Sequence, residues 1–404
     1  MEKKIPTMIS YVNVPGLLSL KLILHHVLLM QFFTGHHGQH VSTASTPATT
    51  ALTTEDPYPS FKSPEDPSVI DTIDIHQIKI ELAYRGPDLK DGKITADFMW
   101  DLVRTFYERG KLHEKYVLEI LRQARDYFRS LPNVVDLSLA DNETIYVVGE
   151  THGDIYSLLN IFDVGGGAPN ETTRYLFNGN MIDEDDHSIE CLIGCTSGHE
   201  NWIGQECEQK YPAQKKLWGA FMEVFDWLPL AHVINGKVFV VHGGLASEDG
   251  VTLDDIRKIT RNCEPNPKDV GKDRILYDLL YSSPQAKRGR GRTKYSEALE
   301  FGPDITKKFC KESGLQRIIR THGRSGQKRS QHYNQVYWVS ARYGGFMLRL
   351  RAPELEPKEI DLGSFIEPLY GLRWRGQGGY YQKYEEMKDT MITRYIPEPT
   401  EYYD

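Results

Sequence analysis

The chain lacks paired cysteine motifs. Its five cysteines, Cys191, Cys195, Cys207, Cys263 and Cys310, form an odd set with no C-x-x-C pair, which excludes a disulfide-rich secreted scaffold. The spacing of Cys191, Cys195, His199 and Cys207 leaves a new zinc site open, beside buried thiols or, in an oxidising compartment, one disulfide. An excess of positive charge is also missing. The net charge of -8 and a pI near 6.0 give no global attraction to nucleic acid or anionic membrane. No internal repeat is present, which excludes a solenoid. No clean spanning helix is present either: the most apolar stretch, residues 17–33, is interrupted by Ser19, Lys21, His25, His26 and Gln31, and charge at a bilayer centre costs about 3 kcal/mol.

What is present begins at the N-terminus. Glu2, Lys3 and Lys4 precede that apolar stretch, and small residues follow near positions 42–44. A basic region, an apolar region and a small-residue site predict a signal peptide or signal anchor over residues 1–35. The remainder is then secreted or in the endomembrane lumen, the alternative being a cytoplasmic chain with an ordinary leader helix. Two NET sequons, at Asn142 and Asn170, fit a glycoprotein. Residues 36–68 are Ser/Thr/Pro-rich and read as a linker, residues 69–352 as one globular domain, and residues 353–404 as an acidic, Tyr-rich tail. A hydrophobic share of 40% is enough for that domain to bury a core. Beyond the N-terminal anchor, nothing points to a membrane or to nucleic acid.

Periodicity places the elements. Phe98, Leu102 and Phe106 recur at helical spacing, with Thr95 as a start cap and Gly110 at the end. Tyr116, Val117, Ile120, Leu121, Ala124 and Phe128 share one face of a second helix. β-rich runs follow at residues 145–148, 175–177, 238–241, 318–319 and 336–339. Four of them lead directly into turns carrying His152, Asn180, His242 and His322. Ligand sites in α/β proteins gather outside the carboxyl ends of strands, so these turns predict a shared crevice. The plainer alternative is a set of hydrogen-bonded core histidines. One basic run, Lys287, Arg288, Arg290, Arg292 and Lys294, stands apart, with Arg324, Lys328 and Arg329 later. It reads as a flexible solvated loop, or else as a grip for phosphate.

In order along the chain, YRGPDLKDGKIT, THGDIYSLLNIFDVGG, YLFNGNMID, EVFDWLPLAHVINGKVFVVHGGLASEDGVTLDDIRKI, EFGPDITKKF and IIRTH resemble the phosphoprotein phosphatase family over residues 84–350. The resemblance implies an α/β, calcineurin-like metallophosphoesterase fold: a central β-sandwich flanked by helices. It implies a divalent-metal crevice for phosphate-ester hydrolysis, with manganese, iron or zinc as the ion. The family's tetratricopeptide module has no evident counterpart, and the N-terminal segment stands in its place.

Position by position, the implied metal ligands are Glu150, His152, Asn180, His242 and His322. Glu150 stands where the family has Asp, Asn180 where it has the bridging Asp, and Gly198 where it has a ligating Asn. The proton donor and its orienting partner fall on His199 and Asp183, the latter opening an acidic run over residues 183–186. The two phosphate-binding arginines fall on Glu184 and on Tyr295, beside Lys294, and the lid tyrosine on Tyr343. Only CLIGCTSG separates Glu190 from His199, where the family has a further helix and strand. An amide cannot bridge two hard cations as a carboxylate does, and neither Glu nor Tyr replaces a bidentate guanidinium. The expectation is a phosphatase-like protein impaired in catalysis, holding one ion or none and acting by binding a phosphoprotein or a phosphatase partner. The alternative is a weakened metal-dependent phosphoserine/phosphothreonine phosphatase.

Overall fold

The chain is represented by a computed structural model that describes residues 67–362, apart from 96–97, 99–100, 103–104, 107–109, 154, 167–168, 171, 182–206, 264, 267, 294–296, 324–328 and 342–344. The apolar leader and nearly all of the expected linker and tail therefore lie outside the described residues. Among the described residues, no helix is long and apolar enough to cross a membrane.

The first helical pattern has the caps its sequence predicts. Thr95 Oγ1 accepts the Phe98 N–H at 3.2 Å, and the Gly110 N–H reaches the Thr105 carbonyl at 2.7 Å. Phe98, Leu102 and Phe106 are buried. Helix α1 follows at Glu114–Arg129, started by His113, whose Nδ1 accepts the Lys115 N–H. Its apolar face buries Val117, Leu121 and Phe128, each contributing about 1.5–3 kcal/mol by removing apolar surface from water.

Two sheets form the centre. The larger contains β1 (Val134–Leu137), β4 (Ala231–Ile234), β5 (Val238–Val241), β9 (Arg317–Arg320), β11 (Val336–Trp338) and β10 (Ser330–Gln331), in that spatial order. The smaller has the order β13 (Lys358–Asp361), β12 (Phe346–Arg351), β2 (Thr144–Val148), β3 (Thr173–Phe177). Strand β13 lies beyond the expected domain edge at residue 352 yet pairs antiparallel with β12. Alternation along β5 shows how the layers stack. Val238 and Val240 join the core shared with β2 and β3, whereas Phe239 and Val241 join a second core against α5 (Arg274–Tyr281) and α6 (Pro303–Glu312). Both faces of β5 are covered, which is why its sequence is uniformly apolar. The result is a sandwich flanked by helices, as the family resemblance implies.

Part of the basic run is a strand rather than a loop. Arg290–Arg292 form β7, the edge of a small sheet with the order β6 (Ser283–Pro284), β8 (Leu299–Phe301), β7.

One buried ion pair locks the N-terminal segment onto the sandwich. Arg125 on α1, only 4% exposed, donates to Glu223 Oε1 at 3.0 Å, to Asp71 at 2.9 Å and to Ser68 at 2.6 Å. Glu223 belongs to helix α3 (Leu217–Asp226), and its other oxygen accepts the Ile70 N–H at 3.1 Å. Glu223→Ala leaves both the guanidinium and that N–H short of an acceptor. It is expected to lower the unfolding free energy by about 3 kcal/mol, and Glu223→Gln by less, in urea titrations. Equal losses would show that the charge does not matter.

His232 on β4 is 1% exposed, and burial pushes its pKa down to about 3. Above about pH 6.5 both folded and unfolded states hold it neutral. As pH falls from there toward 3, the unfolded chain takes up a proton that the folded chain refuses, so stability is lost across that window. His232→Phe is expected to flatten this limb in denaturation curves recorded as a function of pH; an unchanged slope would assign the acid sensitivity elsewhere.

Candidate metal centre

Five chain segments meet at the carboxyl ends of β2, β3, β5, β9 and β11. After β2 comes Gly149, where any Cβ would collide with the Val339 carbonyl and the Ser340 Cα. Glycine is thus what lets the turn after β11 pass close by, and the Ala341 N–H reaches the Glu150 carbonyl at 3.2 Å. The N–H groups of Thr151 and His152 both donate to the Asn180 carbonyl at 3.0 Å. His152 and Asn180 themselves have φ values of 54° and 49°, left-handed conformations that Asn and His tolerate better than most residues.

Asn178, 1% exposed, joins the two sheets. Its Nδ2 donates to the Val241 carbonyl at 2.9 Å and to Thr321 Oγ1 at 2.7 Å. Its main-chain carbonyl sits 2.8 Å from His242 Nδ1. That ring nitrogen must therefore carry the proton, which leaves Nε2 as the lone-pair end, the arrangement typical of a metal-ligating histidine.

Glu150, His242 and His322 bring their ligand atoms to within 4.8 Å of one another. Both imidazoles are held neutral, the form that binds metal. Burial lowers the His242 pKa against the opposing charge of Glu150, and burial together with His242 and Arg320 holds His322 well below its usual value. His322 Nδ1 is buried with no hydrogen-bond partner among the described residues, a polar atom that a cation would satisfy. Two imidazoles and one carboxylate suit a single divalent ion of borderline softness. Arg320, fully buried, lies behind the cluster and donates to the carbonyls of Gly243 and Ser282. Burial pushes its pKa down to about 9, opposed by Glu150, so near neutrality the guanidinium still balances that carboxylate.

The remaining ligand candidates stand beside this group. His152 Nε2 lies 3.4 Å from Glu150 Oε2, and Asn180 turns its amide nitrogen toward Glu150 Oε1, also at 3.4 Å. His199, Asp183, Lys294, Tyr295 and Tyr343 lie outside the described residues, as do Glu184 and Gly198. Of the imagined cysteine site only Cys207 is described; it is buried, and Cys207, Cys263 and Cys310 are not disulfide-bonded. Asn178, Thr321 and Arg320 were not singled out by sequence reasoning. A polar residue directly after an apolar strand was the available signal for Asn178. Nothing marks a strand arginine as buried.

The fold and this crevice define a calcineurin-like phosphoesterase domain: residues 143–323 match the family model of that description. The protein is serine/threonine-phosphatase-like. Serine/threonine-protein phosphatase 5 of Homo sapiens is 42% identical over 274 residues, covering 63% of this chain and 54% of that protein. Its counterpart in Arabidopsis thaliana is 35% identical over 318 residues, covering 72% and 58%. The chain thus spans somewhat more than half the length of these curated relatives. A solved protein serine/threonine phosphatase from Saccharomyces cerevisiae, described as similar to human phosphatase PP5, superposes with a TM-score of 0.57 at 28% identity. It covers 64% of this chain and 90% of that one.

Two expectations change. Residues 60–136 match a family model described as the PPP5 TPR repeat region, so the chain does carry a stretch similar to that region. Its described part comprises short 3-10 turns, the buried Phe98, Leu102 and Phe106, and α1 packed on the core. The expected secreted or luminal location is overturned by the likeness to serine/threonine-protein phosphatase 5 of Homo sapiens and Arabidopsis thaliana. The sequon at Asn170 has a local structural role: its Oδ1 accepts the N–H groups of Thr172 and Thr173 at 3.0 and 3.1 Å, shaping the turn into β3.

Asn178→Ala removes the donor shared by the Val241 carbonyl and the Thr321 hydroxyl. The expected loss is about 1–3 kcal/mol in urea unfolding. Metal affinity measured by calorimetry should stay near that of the parent, because the carbonyl orienting His242 belongs to the main chain. A large drop in affinity with little change in stability would contradict this division of labour.

Proposed function

We propose that the chain is a pseudophosphatase, a metallophosphoesterase-fold protein that has lost most of its capacity to hydrolyse phosphate esters and acts by binding a phosphoprotein or a phosphatase partner. The observation that carries this reading is the charge count in the crevice. Among the described residues, Glu150 is the single carboxylate of the converging group, and position 180 contributes a neutral amide whose nitrogen faces it. That set matches one divalent cation far better than two. The sequence adds Glu184 and Tyr295 at the positions where the family grips phosphate with arginine. Exchanging a guanidinium for a carboxylate turns an attraction into a repulsion. Each contact is worth on the order of a few kcal/mol at an effective dielectric of about 20, while a tenfold change in rate needs only about 1.4 kcal/mol.

A second reading, a weakened metal-dependent phosphoserine/phosphothreonine phosphatase, is favoured by the convergence of Glu150, His242 and His322 itself. When bound there, a manganese, iron or zinc ion supplies Lewis acidity. The match to a TPR repeat region supports a protein partner under either reading.

Elemental analysis after loading with manganese or zinc, run beside a phosphopeptide hydrolysis assay, separates the two. Expected are a single ion per chain, an affinity lowered about tenfold or more by His242→Ala, and turnover no greater than that of this variant. Two ions per chain with hydrolysis abolished by chelator and by His242→Ala would establish the enzyme and end the pseudophosphatase reading.

A further inference from the structure

The basic run lies on an edge strand that is joined to an unusually built turn. Lys287, Arg288 and Arg292 are exposed, in a chain whose net charge is -8. Strand β7 pairs with β8 on one side and stands at the sheet's border on the other. The strand is firmly held. Arg290 donates to the carbonyls of Ser247 and Glu248 and to Asp249 Oδ1, while the Gly289 N–H donates to Asp304 Oδ1 at 2.8 Å. One arginine thus serves as an anchor, and its neighbours face solvent.

The turn between β10 and β11 reaches the same place. His332, Tyr333 and Asn334 take φ values of 49°, 57° and 62°, three successive left-handed residues without a glycine. Side-chain-bearing residues avoid this conformation unless they are restrained, and the surroundings supply the restraint. His332 is 8% exposed; its Nδ1 lies 2.7 Å from the Thr306 hydroxyl, and its Nε2 lies 2.8 Å from the Gln285 carbonyl. Gln285 Nε2 in turn donates to the Gly289 carbonyl at 3.2 Å, just before β7. This restraint holds Tyr333 out at 93% exposure. An exposed tyrosine on a turn tied through His332 and Gln285 to the residue preceding this arginine-bearing edge strand combines the side chains that dominate binding energy with a backbone able to extend a sheet.

We infer that this face binds an extended acidic peptide, which adds a strand to β7, places its carboxylates on Arg288 and Arg292 and packs an apolar side chain against Tyr333. The partner is acidic by charge complementarity and extended because the edge is a strand. The inference requires neither a metal ion nor turnover, so it stands or falls separately from the proposed function.

The test uses the full chain and a fluorescein-labelled peptide of alternating Glu and Val, followed by polarisation. Binding is expected, and it should weaken as ionic strength rises. A Lys/Val peptide should fail to bind. Arg288→Glu with Arg292→Glu, and separately Tyr333→Ala, should each weaken binding about tenfold or more, with unchanged thermal midpoints. A Glu/Val peptide N-methylated at alternate residues keeps its charges but loses backbone donors, and it should bind at least about tenfold more weakly. Unchanged affinity in either variant, or equal affinity of the N-methylated peptide, overturns the proposal. Binding of an oligonucleotide or of phosphatidylserine vesicles in place of the peptide overturns it as well.

Discussion

Asn178 occupies the seam where the two sheets of the sandwich meet, and its side-chain amide donates across that seam to the Val241 carbonyl and the Thr321 hydroxyl. Its own carbonyl fixes the His242 ring from the other direction. A buried amide is tolerated only where its hydrogen bonds are made, so the carboxyl ends of β3, β5 and β9 have little freedom to slide past one another. Fixing those ends fixes the crevice. The turns bearing Glu150, Asn180 and His322 are tied to the same frame through main-chain bonds from Thr151 and His152 to Asn180 and from His322 to His242.

That frame explains how a crevice survives changes among its ligands. The bonds that shape it are main-chain bonds or belong to Asn178 and Thr321, residues whose side chains are engaged with one another and with a strand carbonyl. Replacing a ligand alters the crevice charge without touching them. Charge is nonetheless constrained. With Arg320 fully buried behind the cluster, one carboxylate balances one guanidinium. A second carboxylate at position 180 would face Glu150 at the distance where Asn180 now offers an N–H. Without an additional cation, two carboxylates so close repel strongly enough for one to take up a proton. An amide at that position avoids this repulsion and leaves Glu150 with an N–H to accept from.

Much of this was legible in the sequence, and the gaps have physical causes. Strands β2, β5 and β11 announced themselves because buried strands concentrate β-branched residues, and the turns after them because polar residues follow abruptly. Strand β4, Ala-His-Val-Ile, is too short and too mixed to stand out, and His232 reads as polar although it is packed away. Strand β7, Arg-Gly-Arg, resembles a loop because charged edge strands guard against unwanted pairing, and only its pairing with β8 reveals it. Arg320 shows the same difficulty more sharply. Composition places arginine at the surface, whereas here the carbonyls of Gly243 and Ser282 close around the guanidinium. Among the ligands, which residues cluster most tightly depended on side-chain length and turn geometry: Glu150 reaches His242 and His322, while His152 and Asn180 remain beside it.

Arg320 also connects the crevice to the edge strand. It donates to the Ser282 carbonyl and the Ser283 hydroxyl at the start of β6, which pairs with β8, which pairs with β7. Such a chain of contacts invites a claim of communication between ion and peptide. Coupling requires an element with two arrangements that the two ligands favour differently. Each link here is either a sheet pairing or a guanidinium gripped by carbonyls, and the turn at Tyr333 is pinned by both nitrogens of His332. Stiff links transmit position rather than choice. The connection therefore sets where a docked peptide runs relative to the metal centre, and it leaves the affinity of each site independent of the other.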